Sequence, residues 1–111
     1  MDNKKDDGYF INKIINDLRF LIAHTGNLTL ENISDDEVLL DSIMFRLVQI
    51  SENSGKLTEG FKQRYREIPW SAIRGLRNRL VHDYGEVDLT IVYDTVKRDI
   101  PDLLNLLQGL Q

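Results

Sequence analysis

The chain has 111 residues, of which 41% are hydrophobic and 29% are charged, with no cysteine and a formal net charge of −4. This size and composition are typical of one soluble globular domain, and the lack of cysteine excludes both a disulfide framework and a thiolate metal site. No apolar run approaches the roughly 18 residues needed to cross a bilayer, and the polar start of the chain lacks the apolar core of a signal peptide. We therefore expect a single domain over residues 1–111 that resides in the cytoplasm and does not associate with a membrane.

Helical periodicity dominates the first half of the chain. Apolar residues recur at the spacing of one helix face and predict a first helix over about residues 4–24. Ser34, with Glu37 three residues later, predicts a capping box that opens a second helix. The apolar stripe of this second helix continues to about Leu57. Thr58 is then predicted to cap a short third helix.

The second half of the chain predicts two further helices. Pro69 suits the first turn of a fourth helix, and Gly85 suits its end because glycine readily adopts a left-handed conformation. Asp88 or Thr90 is predicted to open the last helix, and Pro101 is predicted to kink or break it. No strand-like alternation is present. The sequence therefore predicts an all-α fold, an up-and-down bundle of four to five helices.

Positive charge is concentrated in one segment. Residues 1–60 carry six Lys and Arg against eleven Asp and Glu, whereas residues 61–84 carry six against two. Such a segment in an acidic protein is consistent with a local anion site, although a solvated helix face would give the same pattern. If the anion is RNA, the residues predicted to follow its backbone are Lys62, Arg64, Arg66, Arg74 and Arg79.

The segment from Arg77 to Tyr84 contains the residue types needed to cleave RNA without a metal ion. His82 can act as a general base or acid, because the unperturbed pKa of histidine is near 6.5. Arg77 can stabilise charge on the phosphoryl oxygens as a ribose 2′-hydroxyl attacks the adjacent phosphate. Asn78 can orient the histidine or the phosphate, and Tyr84 can position the backbone or stack on a base. The carboxylates of the chain are scattered, so the sequence does not indicate a metal site or another cofactor.

Helix geometry bears on how these groups meet. On a straight helix the five residues from Arg77 to His82 rotate by about 500°, which leaves the two side chains about 140° apart. The two side chains can converge if the helix frays near His82 or if a second copy of the chain supplies the other half, and we expect a catalytic site of this kind to form at a two-fold interface. The alternative is structural: His82 would only interact with a helix dipole, and Arg77 would pair with Asp83, Glu86 or Asp88.

The motifs together resemble the HEPN superfamily and, more narrowly, the HepT toxins of bacterial and archaeal toxin–antitoxin pairs. The resemblance covers most of the chain and is carried by Ile68-Pro69-Trp70, Arg74 to Leu80, His82-x-Tyr84 and Gly85 to Asp88. It implies a homodimeric helical bundle that dimerises through the motif-bearing helices and cleaves RNA without a metal. It further implies that Arg77 and His82 are catalytic, with Asn78 as the polar residue customary after the arginine.

The resemblance also implies a partner, a minimal nucleotidyltransferase antitoxin of the MntA kind that can transfer AMP from ATP to Tyr84. The chain departs from the family where Gly85 replaces a common aromatic residue and where Ser51-Glu52 replaces a common Gly-Glu pair. Two other hypotheses remain open from the sequence. One is a non-catalytic module that docks a nucleotidyltransferase, and the other is a plain helical dimerisation domain.

Overall fold

The computed structural model describes residues 5–81 and 85–110, which are almost entirely helical. The helices are α1 (Asp7–Thr25), α2 (Leu30–Ser34), α3 (Glu37–Ser54), α4 (Glu59–Arg64), α5 (Trp70–Arg74), α6 (Leu76–Leu80), α7 (Leu89–Asp94) and α8 (Ile100–Gln108), and a π-helical segment (Thr95–Asp99) joins α7 to α8. The predicted all-α class is confirmed. In this part of the chain the extended pairing consists of a single antiparallel bridge between Val81 and Val87.

The first helix follows the sequence prediction closely. The Asp6 carboxylate caps α1 by accepting the Tyr9 N–H at 2.9 Å. One face of α1 is buried along its length, because its apolar residues recur every three or four positions. The core residues of that face are Ile11, Ile14, Ile15, Leu18 and Leu21.

The predicted start of the second long helix is wrong. Ser34 ends the additional short helix α2 instead of capping the next one. The reciprocal capping box belongs to α2, in which the Thr29 hydroxyl accepts the Asn32 N–H at 3.1 Å and the Asn32 side chain accepts the Thr29 N–H at 2.9 Å. Asp36 caps α3 by accepting the Leu39 N–H at 2.9 Å. An acidic residue with a free side-chain oxygen thus took the role that the sequence pattern suggested for the serine.

The third predicted helix is confirmed, and Thr58 also ties it to α1. The Thr58 hydroxyl accepts the Phe61 N–H at 3.2 Å. The same hydroxyl donates to Asp7 Oδ2 at 2.7 Å, and the backbone N–H of Thr58 donates to Asp7 Oδ1 at 2.8 Å. The preceding helix ends at Ser54 and not near Leu57, so the chain has room to turn before Thr58.

The predicted fourth helix is divided and shorter than expected. It forms α5 and α6 on either side of Gly75, and Pro69 precedes its first turn as the N-cap residue. A buried hydroxyl contributes to the division, because Ser51 Oγ donates to the Arg74 carbonyl at 2.9 Å and occupies an acceptor at the end of α5.

The end of α6 also corrects the sequence prediction. The helix stops at Leu80 and does not continue to Gly85, since Val81 is extended (φ −124°, ψ 126°) and pairs with Val87. The predicted helix end at Gly85 is therefore wrong, and the 140° separation, which assumed a straight helix through both Arg77 and His82, does not apply.

The last helix begins and bends where the sequence indicates. Asp88, and not Thr90, provides the cap by accepting the N–H three residues on at 3.1 Å. The helix departs from α geometry in the π-helical segment, where the Ile100 N–H bonds to the carbonyl five residues earlier. Pro101 follows directly and lacks an N–H to continue the α pattern. The predicted irregularity near Pro101 is thus confirmed.

The core lies between α1, α3 and α8, and α5 and α6 pack against α3. Buried residues from the other elements complete it: Ile33, Ile43, Leu47, Ile50, Leu57, Ile68, Ile73, Leu76, Leu80, Val92, Val96, Ile100, Leu103 and Leu107. This packing fixes the motif-bearing helix α6 against the carboxyl-terminal half of α3. No helix in the described ranges is both long enough and apolar enough to span a membrane.

Candidate functional site

A wide surface groove of about 800 Å³ is bounded by the end of α3, by α4 and by α5–α6. We call it the basic groove. Its lining residues are Ser51, Glu52, Glu59, Lys62, Gln63, Arg66, Trp70, Ser71, Arg74, Gly75, Arg77 and Asn78. Four of these side chains are cationic and two are carboxylates, so the groove is net positive in a chain whose net charge is −4. Anions are attracted to such a local excess of positive charge.

Arg77 is a cation of the basic groove whose side-chain donors are unused. Its side chain is exposed and makes no hydrogen bond or ion pair with the residues that the structure describes. Among the described residues, Arg77 therefore does not form the alternative ion pair with Glu86 or Asp88. A guanidinium presents five N–H donors in a planar fork that matches phosphate oxygens. Asn78, also exposed, lies next to it on the same wall.

Arg74 is held close to α3 by contacts that explain why Ser51 and Gly55 are small. The Ser51 hydroxyl fixes the Arg74 backbone, and Gly55 permits its side chain to pass over the end of α3. A β-carbon on Gly55 would lie only 2.7 Å from Arg74 Nε. Arg74 also pairs with Glu52 at 3.7 Å, but both side chains are more than half exposed, so water screens this pair and it contributes little stability.

The α4 side of the basic groove combines a second ion pair with aromatic packing. Lys62 and Glu59 pair at 3.2 Å. Trp70 is half-buried, donates its indole N–H to the Tyr65 carbonyl at 3.1 Å and contacts Phe61 edge-on at 6.2 Å between ring centroids. These contacts make Trp70 a packing residue, although the indole also forms part of the groove wall.

The structure brings together some of the predicted residues and separates others. The basic groove contains Arg77 and Asn78 and three predicted RNA-contacting cations, Lys62, Arg66 and Arg74. Arg79 instead lines a second cavity and donates to the Ala72 carbonyl at 3.4 Å. Arg64 is exposed at the end of α4, away from the groove lining. His82 and Tyr84 lie outside the described residues.

Backbone hydrogen bonds hold the chain before and after these two residues. The Val81 N–H donates to the Arg77 carbonyl at 3.2 Å, and the Asp88 N–H donates to the Leu80 carbonyl at 2.8 Å. The chain therefore returns to the end of α6 only a few residues after leaving it. Gly85 has φ +77°, a left-handed conformation that favours glycine. This conformation gives a physical reason for glycine at this position.

Sequence reasoning did not assign Glu59 and Gln63 to the site. With the predicted cations Lys62 and Arg66 they follow i, i+3, i+4 and i+7 spacing, the periodicity of one helix face, from the start of α4 to two residues beyond its end. That polar face could have been recognised in the sequence. Ser51 and Glu52 were noted only as a departure from the family pattern. The described part of the chain holds no group of three or more His, Cys, Asp or Glu side chains placed to share a metal ion.

Comparison with known proteins identifies the family to which a chain with this groove belongs. A family model described as Ribonuclease HepT-like matches residues 14–110, which include all of the basic groove. The chain belongs to the HepT-like family. This result confirms the resemblance that the motifs indicated. No solved structure gives a significant match.

Several curated relatives are a little over a quarter identical to this HepT-like chain over the residues that align. A protein of Caldanaerobacter subterraneus subsp. tengcongensis named "Putative RNase TTE0752" is 29% identical over 94 residues, which cover 85% of this chain and 84% of the relative. The "Probable ribonuclease HepT" of Thermococcus cleftensis is 27% identical over 108 residues, covering 97% and 98%. A Methanocaldococcus jannaschii protein named "Gamma-glutamylcyclotransferase and putative RNase MJ0434" is 29% identical over 100 residues, 90% of this chain but only 45% of the relative.

Proposed function

We propose that this HepT-like chain is a metal-independent endoribonuclease and the toxin of a toxin–antitoxin pair. The observation that carries the proposal is the exposed Arg77 side chain, which has no partner among the described residues, lies in the basic groove and precedes His82 by five residues in sequence. Family membership and the ribonuclease names of the relatives support the same reaction.

In the proposed reaction a ribose 2′-hydroxyl attacks the adjacent phosphorus. A new P–O2′ bond forms and the P–O5′ bond breaks, which leaves a 2′,3′-cyclic phosphate and a 5′-hydroxyl. His82 takes the proton of the 2′-hydroxyl or supplies one to the leaving oxygen, roles open to an imidazole near neutral pH. Arg77 donates to the phosphoryl oxygens as their charge increases. Asn78, beside it, orients the phosphate.

We also propose that two copies of the chain form the active unit. A second cavity of about 310 Å³ is lined by Leu76 of the motif-bearing helix α6 and by Leu106 of α8, which is 42% exposed. Arg79 lies at this cavity together with Asp99 and Asp102. A two-fold axis here would pair the arginine of each copy with the acids of the other, and an isologous contact needs such self-complementarity. This contact would join the copies through the motif-bearing helices.

The proposed partner is a nucleotidyltransferase antitoxin that modifies Tyr84. The phenol oxygen attacks the α-phosphorus of ATP, pyrophosphate leaves, and the tyrosine carries AMP. A phosphate-bearing adduct near the motif would compete with RNA for the guanidinium of Arg77 and repel its backbone. Coexpression with such an enzyme, followed by mass spectrometry, should show AMP on Tyr84. The variant Tyr93→Phe should retain the modification and Tyr84→Phe should lose it.

The cleavage assay uses purified protein, end-labelled RNA and a chelator. We expect His82→Ala to slow cleavage by about 10²–10⁴-fold and Arg77→Ala by about 10²–10³-fold. The matched control is Arg98→Ala, which removes an exposed arginine far along the chain from the groove. Full activity of His82→Ala would refute the catalytic assignment. An inactive wild-type protein that still binds a nucleotidyltransferase would favour the non-catalytic docking module.

Sedimentation measurements test the dimer. Leu106→Asp should yield monomers and reduce cleavage, because it places a charge in the apolar contact. Val38→Asp, at a valine that is 80% exposed on α3, should leave both unchanged. Dimers that persist in Leu106→Asp would contradict the proposed contact without affecting the proposed chemistry.

A further inference from the structure

The start of α1 carries an aromatic and basic surface that the proposed reaction does not use. Tyr9 is 37% exposed, with Lys5 Nζ 4.7 Å and Lys13 Nζ 5.8 Å from its ring centroid. Phe10 packs edge-on against Tyr9 at 5.2 Å, and Lys56 Nζ lies 5.7 Å from the Phe10 ring. We call these five residues the α1 patch. Three lysines around two aromatic rings are the residue types that bind unpaired nucleotides.

The α1 patch adjoins the basic groove through the turn after α3. Lys56 belongs to the patch, and its neighbour Gly55 lies against the side chain of the groove residue Arg74. On the other side, Asp7 of α1 holds Thr58, and the next residue, Glu59, lines the groove. The two surfaces are therefore consecutive along one short stretch of chain. We expect a strand that leaves the groove beside Arg74 to meet Lys56 next.

The electrostatics of the α1 patch suit a phosphate backbone. The hydrogen bond and charge of Lys5, helped by Lys13, lower the pKa of the Tyr9 phenol below its ordinary value. The nearby acids already have roles, since Asp6 accepts the Tyr9 backbone N–H and Asp7 accepts from Thr58. Lysine has a flexible stem, so either ammonium can move from the ring to a phosphate and leave the ring face open to a base.

We propose that the α1 patch is a second RNA subsite, in which Tyr9 stacks on an unpaired base and Lys5, Lys13 and Lys56 bind the flanking phosphates. The inference rests on the proposed function and extends it, because it selects single-stranded RNA as the substrate. Bases in a duplex are stacked on each other and cannot reach an aromatic side chain. An acidic protein surface would also be attracted to the lysines, but it would have no need of an exposed ring beside the groove.

Binding can be measured without cleavage by using labelled 2′-O-methyl oligonucleotides, since blocking the 2′-hydroxyl removes the nucleophile. A short oligonucleotide of about four nucleotides fills the groove alone, and one of about twelve nucleotides reaches the patch as well. We expect Tyr9→Ala to weaken binding of the longer strand at least fivefold and to leave the shorter strand unaffected. Tyr9→Phe keeps an aromatic face and should bind like the wild type. Phe45→Ala removes an aromatic residue that is 58% exposed on α3, and should change neither affinity.

Salt dependence tests the lysines. Each phosphate contact that is lost lowers the slope of log K against log salt by about 0.7 for a single strand. Lys13→Gln should show this change with the longer strand only. Arg98→Gln, the same change of charge at an exposed residue outside both surfaces, should show none.

Several results would overturn the inference. These are unchanged affinity in Tyr9→Ala, an equal loss for both strand lengths, or equally tight, Tyr9-dependent binding of a duplex. Weaker binding in Lys13→Gln but not in Tyr9→Ala would point to general attraction or to an acidic protein partner. Failure of the proposed function looks different, because the wild type would then neither cleave RNA nor bind even the short oligonucleotide.

Discussion

Replacing Gly55 with alanine tests whether the close approach of Arg74 to α3 shapes the basic groove. The new β-carbon would lie 2.7 Å from Nε, 2.9 Å from Cζ and 3.1 Å from Cδ of Arg74. Non-bonded carbons are most stable at about 3.5–4.0 Å, so the guanidinium must move by about 1 Å. The clash involves a flexible side chain that is 56% exposed, and the Glu52 pair it disturbs is already long at 3.7 Å.

The free energy of unfolding should therefore change little. An exposed pair of this kind is worth about 0–1 kcal/mol. Gly55 has φ −69° and ψ −15°, which alanine adopts without strain, and removing a glycine stabilises by about 0.4–1 kcal/mol through the unfolded chain. The two effects nearly cancel. RNA binding should change more, because displacement of Arg74 removes one phosphate contact and lowers the salt slope by about 0.7.

Gly60→Ala is the matched control for this variant. Gly60 lies in α4, and a β-carbon there would meet no atom within 4 Å. We expect a gain of up to about 1 kcal/mol in stability from better helix propensity, with no change in RNA affinity. Chemical denaturation and fluorescence anisotropy measure the two quantities. A loss of more than about 2 kcal/mol in Gly55→Ala, or a salt slope equal to that of the wild type, would refute the reasoning.

Two further predictions concern α1. Lys97 Nζ donates to the Thr25 carbonyl at 2.9 Å and to the following carbonyl at 2.8 Å, so Lys97→Met should cost about 1–2 kcal/mol. Thermal denaturation should show a midpoint about 4–16 °C lower, whereas an unchanged midpoint would mean that water replaces the lysine. Lys5→Gln should raise the pKa of Tyr9 towards 10.0, since Lys5 contributes most to its lowering. Ultraviolet titration of the phenolate, assigned with Tyr9→Phe, measures the shift, and a shift downwards would contradict the proposed cause.

The sequence predicted elements well where local chemistry decides them. The apolar period of α1, the Thr58 cap and the irregularity before Pro101 each depend on residues a few positions apart. One error arose where a distant residue intervenes, because Ser51 approaches Arg74 across 23 positions of sequence and takes its carbonyl. Other errors arose where local alternatives compete. Asp36, and not Ser34, caps α3, and Val81 leaves α6 to pair with Val87, and apolar periodicity identifies neither contact.

The candidate site, like the fold, could be predicted from the sequence only in part. Its chemistry was visible in the sequence, because Arg77 and Asn78 belong to a recognisable motif and the positive charge of residues 61–84 is unusual in an acidic chain. Its shape was not visible. The polar face of α4 reaches the groove only because Thr58 fixes that helix to Asp7 of α1. Arg79 was grouped with its neighbours by sequence, yet the helical turn directs it to the second cavity.

The acidity of the chain as a whole is compatible with a role in binding RNA. Two of the four cations in the basic groove are paired with carboxylates, Lys62 with Glu59 and Arg74 with Glu52. Both carboxylates are more than half exposed, and such surface pairs are weak. An incoming phosphate can therefore displace a carboxylate at low cost, and the remaining negative charge repels RNA from other surfaces. We therefore expect the net charge of −4 to favour RNA binding at surfaces where cations outnumber acids, as they do in the basic groove. Selectivity for that groove follows from the contrast between it and the rest of the surface, more than from its absolute charge.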